Sequence, residues 1–170
     1  MKPRVGYLRK YARELLKRCG ITEPPVDLRV IAEKIGLEYQ EVDYFPDDVD
    51  ALIIKTGDRT VAAVNKNQSF TRRRFSLAHE FCHHLLHPDR SVLDDQVTID
   101  SPPTGVGEAA SKDPYEAEAD IFAGELLVPL PMLKEHFRSG LTAADVARTF
   151  AVSEHVASIA ISTHFASLFK

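Results

Sequence analysis

A chain of 170 residues and 19.0 kDa, 44% hydrophobic and 27% charged, is long enough to bury one sizeable core but not two independent ones. A net charge of −4 and a pI near 6.0 disfavour wholesale nucleic-acid binding, and two cysteines, Cys19 and Cys82, are too few for a disulfide framework. The start, Met1-Lys2-Pro3-Arg4, carries no apolar leader and no later run approaches bilayer length, so a cytoplasmic chain with no membrane partner is expected.

Tyr7, Leu8, Tyr11, Leu15 and Leu16 recur at helical spacing among basic residues, and Gly20 ends that first helix. After Pro24-Pro25, Asp27 is suited to cap a short second helix whose stripe is Leu28, Ile31, Ala32 and Ile35, closed by Gly36. The period then changes. Residues 37–42, 51–55 and 60–64 are β-leaning runs, with Gly57-Asp58 as a hairpin turn, so a small, mostly antiparallel three-stranded sheet is expected. Residues 70–87 form a helix broken by Pro88, and residues 88–112, rich in Pro, Gly, Ser and Asp, read as a long loop. Asp113-Pro114 marks an N-cap and first helical position, opening a helix to about residue 128 that Pro129 and Pro131 close.

The helix over 70–87 contains His79-Glu80-Phe81-Cys82-His83. At about 100° per residue, His83 lies about 40° and Glu80 about 100° from His79, while Phe75, Ala78, Phe81, Cys82, Leu85 and Leu86 gather on the other side. Two imidazoles one turn apart flanked by a carboxylate are two ligands of a Zn2+ site with a base beside it. The bland alternative is an amphipathic helix with histidines on its wet face.

Hydrolytic zinc takes three protein ligands and keeps one position open, so a third donor must come from elsewhere. Glu116 and Asp120, four apart on the helix opened by Pro114, share a face with the small Ala119 and Ala123. Glu116 is assigned as third ligand and Asp120 as the carboxylate accepting the free imidazole N–H of His79. Glu118 competes, but its face also carries Ile121, Phe122 and Glu125, and it is expected to point to solvent. The expected chemistry is attack by an activated water, with Glu80 taking its proton and passing it to the leaving amine. Cys82, at about 300° on the wheel, faces the core and is a poor nucleophile. His87 lies about 12 Å along the helix from His79, too far to share the ion, and is expected to line the cleft or cap the helix. His84 reads as a rim residue. Tyr115, His136, His155 and His164 stand unranked as donors to a developing oxyanion.

The run from Arg74 to His87, followed by Glu116-Ala117-Glu118-Ala119-Asp120-Ile121-Phe122-Ala123-Gly124-Glu125-Leu126-Leu127-Val128-Pro129, resembles the ImmA/IrrE family of metallopeptidases. Pro25-Val26-Asp27-Leu28, Ile31-Ala32 and Val64-Asn65 also match that family's pattern, so the likeness covers nearly the whole chain. It implies an α+β fold, mainly helical with the small sheet, and a thermolysin-like, gluzincin-type core. His79, His83 and Glu116 match the ligands and Glu80 the catalyst. It also implies a substrate class, helix-turn-helix repressors of the XRE type in phage, mobile-element or stress-response circuits. Cys82 and His84 depart from the small, hydrophobic or glycine residues more usual there, without blocking the ligand geometry.

Residues 1–140 are thus expected to form the zinc metallopeptidase domain and 141–170 a helix-turn-helix-like extension packed on it. The segment from Leu141 to Ala157 has the cadence of two helices joined by a tight turn, with Ser153 as cap. Its second helix has no Lys or Arg over residues 154–162, so direct DNA binding is disfavoured against packing or substrate docking. Arg72-Arg73-Arg74 is the one concentrated basic run; it reads as a solvated first turn, ahead of a patch for an acidic partner surface. The alternative function is a regulatory module that binds DNA or a repressor without proteolysis.

Overall fold

The computed structural model describes residues 2–45, 49–88, 113–137 and 141–168. The expected loop over 88–112 lies outside the described residues except for Pro88.

Helix α1 (Val5–Arg18) buries Leu8, Ala12, Leu15 and Leu16, while Tyr7 stays on the surface. It stops at Gly20, whose φ of +68° suits a residue without a Cβ, and Ile21 N–H returns to the carbonyl of Leu16. Helix α2 (Leu28–Lys34) starts where the Asp27 carboxylate accepts from the N–H of Arg29. Strands β1 (Glu38–Val42), β2 (Ala51–Thr56) and β3 (Arg59–Asn65) follow, with Gly57 at φ +59° in the turn between the last two.

The sheet order is β1-β3-β2: β2 pairs antiparallel with β3, whereas β1 pairs parallel with it. The sheet is therefore mixed rather than mostly antiparallel. The hairpin dictates the first pairing, but the connection after β1 carries the chain past the end of β3 to start β2 on its far side. Both ends of that connection are held at the end of β3: Asn65 Nδ2 donates to the carbonyl of Val49, and Asn67 Nδ2 to that of Asp43.

Helix α3 (Phe70–Leu86) packs on β2 with Leu77, Ala78, Phe81 and Cys82 buried, and helix α4 (Pro114–Leu127) packs on α3. Asp113 caps α4 by accepting from the N–H of Tyr115, with Pro114 at the first position. Ala119 and Ala123 are fully buried, as close approach of the two helices requires. Helix α4 also packs against α1, so it is covered on more than one side and buries Glu118, Phe122, Glu125 and Leu126 as well.

Helices α5 (Leu130–His136), α6 (Ala143–Phe150) and α7 (Glu154–Leu168) complete the described chain. Thr142 and Asp145 form a reciprocal capping box at the start of α6, and Ser153 Oγ accepts from the N–H of Val156 in the first turn of α7. Val146, Phe150, Val156 and Ala160 join the same hydrophobic core as Leu8, Phe81 and Phe122. The three arginines of α3 have partners within the chain: Arg72 pairs with Asp50 while remaining exposed to solvent, Arg73 approaches Glu41, and Arg74 donates to the carbonyls of Val26 and Ala151. No helix among the described residues is long and apolar enough to cross a membrane.

Candidate metal centre

Helical periodicity puts His79 and His83 on one face of α3, and the capped start of α4 puts Glu116 opposite them. Nε2 of His79 lies 3.0 Å from Nε2 of His83 and 3.1 Å from Oε2 of Glu116, and Nε2 of His83 lies 3.3 Å from Oε1 of Glu116. One donor atom from each of these three residues falls within 4.8 Å of the others. Both imidazoles are buried, whereas Glu116 and Asp120 keep about a third of their side chains accessible: 31% and 30%. The pocket is therefore closed by protein on the imidazole side and open on the carboxylate side.

Each imidazole also has a partner for its other nitrogen. Nδ1 of His79 donates to Oδ1 of Asp120 at 3.0 Å, and Nδ1 of His83 lies 3.1 Å from Nδ1 of His87. With Nδ1 engaged outward on both rings, both Nε2 atoms face the same point as the Glu116 carboxylate. Two nitrogens and one oxygen converging with a side left open are the donor set of a catalytic zinc site, so these residues fit a divalent ion.

Electrostatics describe a site that draws positive charge. Burial is the largest influence on His79 and disfavours its imidazolium, yet the carboxylates of Asp120, Glu116 and Glu80 outweigh it and raise its pKa to about 9. Hydrogen bonds with His79 and then His83 push the Glu116 carboxyl well below its ordinary value. Burial pushes the Glu80 carboxyl up, opposed by the two imidazoles and reinforced by Glu116. A carboxylate nudged toward protonation beside an anionic neighbour is a better proton carrier than an ordinary surface glutamate. Cys82 is fully buried, and its thiol is driven up to about 12, first by burial and then by Glu118, which makes it inert.

Glu118 sits elsewhere than expected, and His87 is more buried than a rim position would be. Glu118 does not point to solvent: it is 0% exposed, with Oε1 accepting from the backbone N–H and Nε of Arg4 and Oε2 from Nη2 of Arg4 at 2.6 Å. The reason is tertiary, because its face of α4 meets the start of α1. His87 ends α3 as its C-cap, as one of the two expectations had it, with its backbone N–H on the carbonyl of His83, but its ring is buried rather than set along an open cleft. It is 4% exposed, and its Nε2 lies 3.0 Å from Oε2 of Glu118.

The oxyanion candidates separate. His164 is buried against Glu125 at 3.1 Å, and His136 contacts the carbonyl of Met132. Tyr115 sets its ring edge-on to His87 at 4.9 Å. His155 is exposed and, with Phe75, Ile121, Ile159 and Asp120, lines a cavity of about 180 Å³ beside the His79 support.

Comparison with known families decides the kinship. The family model for peptidase M78, described as the IrrE N-terminal-like domain, matches residues 26–162. The chain belongs to peptidase family M78. This is the ImmA/IrrE group that the sequence resembled, and as a metallopeptidase family it implies a divalent ion. No curated protein sequence gives a significant match. Among solved structures, the fold is similar to a Mycobacterium tuberculosis transcriptional regulator at 18% identity and a TM-score of 0.63, over 92% of this chain. The M78 chain spans 47% of that protein's length, and at this identity the likeness bears on the fold alone.

Proposed function

We propose that this M78 chain is a zinc-dependent endopeptidase in which His79, His83 and Glu116 hold the ion, Glu80 carries the proton and Asp120 orients His79. The observation that supports it is the convergence of three donor atoms within 4.8 Å next to a carboxylate of raised pKa, in a chain of a peptidase family. His79, His83 and Glu116 would hold a divalent ion, which would supply Lewis acidity toward a water and the scissile carbonyl. Glu80 takes the proton as that water's oxygen bonds to the carbonyl carbon, and returns it to the amide nitrogen as the C–N bond breaks. The products are one new carboxylate and one new amine, with no covalent enzyme intermediate. Asp120, by accepting from Nδ1 of His79, keeps the other ring nitrogen free to coordinate.

The substrate proposed is a helix-turn-helix repressor of the XRE type, on the strength of the family resemblance. The C-terminal helices α6 and α7 complete the core or help seat the substrate, since residues 154–162 carry no Lys or Arg for phosphate. A second reading is a regulatory module that binds a repressor without cutting it.

Incubation with a repressor encoded nearby, with and without chelator and alongside Glu80→Gln, separates the two. Cleavage lost under both treatments supports the peptidase. Binding without cleavage by the wild-type chain supports the second reading, and full cleavage by the Gln variant removes Glu80 from its role.

A further inference from the structure

We propose that His87 is a positioning residue for His83: backed by the buried Glu118 carboxylate that Arg4 holds, it selects the ring tautomer that turns the Nε2 lone pair of His83 toward His79 and Glu116. The inference rests on reading His79, His83 and Glu116 as metal ligands.

The direction of each hydrogen bond in this chain of contacts follows from its far end. Glu118 receives three bonds from Arg4, at 2.9, 2.9 and 2.6 Å, and is fully buried. A carboxylate so held only accepts, so the Nε2 of His87 lying 3.0 Å away carries the hydrogen and donates. In a neutral imidazole Nδ1 is then the acceptor. The atom facing it at 3.1 Å is Nδ1 of His83, which must therefore be the protonated nitrogen of that ring. That leaves Nε2 of His83 bare, 3.0 Å from Nε2 of His79 and 3.3 Å from Oε1 of Glu116.

The opposite tautomer of His83 would set two bare Nδ1 atoms against each other inside the protein, whereas in the tautomer described the two bare Nε2 atoms of His79 and His83 would both be matched by a shared ion. His79 obtains the same service directly from Asp120. His83 obtains it through an intermediary, because the carboxylate on its side, Glu118, is two residues along α4 and bonds the ring of His87 instead. The ordinary alternative is that His87 is a core histidine satisfied by Glu118 with no bearing on the ion. The two differ in what the residue does for His83.

The test measures zinc affinity of the metal-stripped full chain by competition with a chromophoric chelator, for wild type, His87→Phe and His87→Asn. Circular dichroism of each metal-free protein serves as the folding control. Phe keeps the ring volume beside Tyr115 and leaves Glu118 its three Arg4 bonds, but offers His83 no acceptor. Asn is smaller, yet its side-chain oxygen sits about where Nδ1 of the imidazole sits. The expected result is a loss of about 10–100-fold in affinity for His87→Phe, with His87→Asn closer to wild type. A packing role predicts the reverse order, and Asn binding more weakly than Phe overturns the proposal, as does wild-type affinity in His87→Phe. If the Phe variant does not fold, the Asn variant decides alone: affinity lost with the fold intact overturns it. A wild-type chain that takes up no zinc overturns the metal-ligand reading, and this inference with it.

Discussion

Nδ1 of His79 and Oδ1 of Asp120 lie 3.0 Å apart although 41 positions separate them in the chain. The contact joins α3 to α4 at the point where α4 also delivers Glu116, so one helix pairing supplies both a candidate ligand and the orientation of its neighbour. Replacing Asp120 with Ala leaves the His79 ring free to rotate and to protonate at either nitrogen. A loss of about 10–100-fold in metal affinity or activity is expected, with Asp120→Asn, which keeps an acceptor oxygen, retaining more. Competition titration of the two variants checks the order.

Glu80→Gln removes the proton carrier and leaves the three donor atoms in place. Activity is expected to fall by about 10²–10⁴-fold while zinc is taken up as by the wild type. A variant that loses both together would assign Glu80 to binding rather than to proton transfer.

Glu118 gives the fold an acid limit. Hydrogen bonds from Arg4, partly opposed by burial, lower its pKa from 4.5 to about 2. A lowered carboxylate contributes stability above its unfolded pKa, and that contribution disappears as pH falls through the folded value. In chelator, the urea midpoint is therefore expected to drop between about pH 4.5 and 2, and Glu118→Gln is expected to flatten that slope. An unchanged slope in the Gln variant would place the acid sensitivity elsewhere.

The helix pair depends on Phe122, fully buried on α4 with its ring 6.3 Å from that of Tyr11 on α1. Phe122→Ala is expected to cost about 3–5 kcal/mol, read as a shift in the denaturation midpoint of the metal-free chain. A cost under 1 kcal/mol would mean that the site around α4 collapses to fill the gap.

Much of this was legible in the order of residues. His79, Glu80 and His83 announce themselves because a helix converts a spacing of four into a shared face, and Asp113-Pro114 shows where α4 starts and so which face holds Glu116. What periodicity cannot show is which element covers a given face. Glu118 looked solvated because its wheel position opposes Glu116, yet its partner Arg4 is 114 positions away and no local pattern ties the two. The same blindness hid His87, whose role depends on Glu118, and the arginines of α3, whose acceptors Asp50, Val26 and Ala151 come from three other segments. The parallel pairing of β1 escaped for a related reason. A turn signal specifies a hairpin, whereas no residue in the connection after β1 states on which side of β3 the chain will return.

The most direct test of the account is the metal content of the purified full chain set beside that of Glu116→Ala, by elemental mass spectrometry after equilibration with limiting Zn2+. One zinc per wild-type chain and far less in the variant is the predicted result. Zinc absent from the wild type, or retained undiminished when Glu116 is gone, would contradict a centre built from His79, His83 and Glu116.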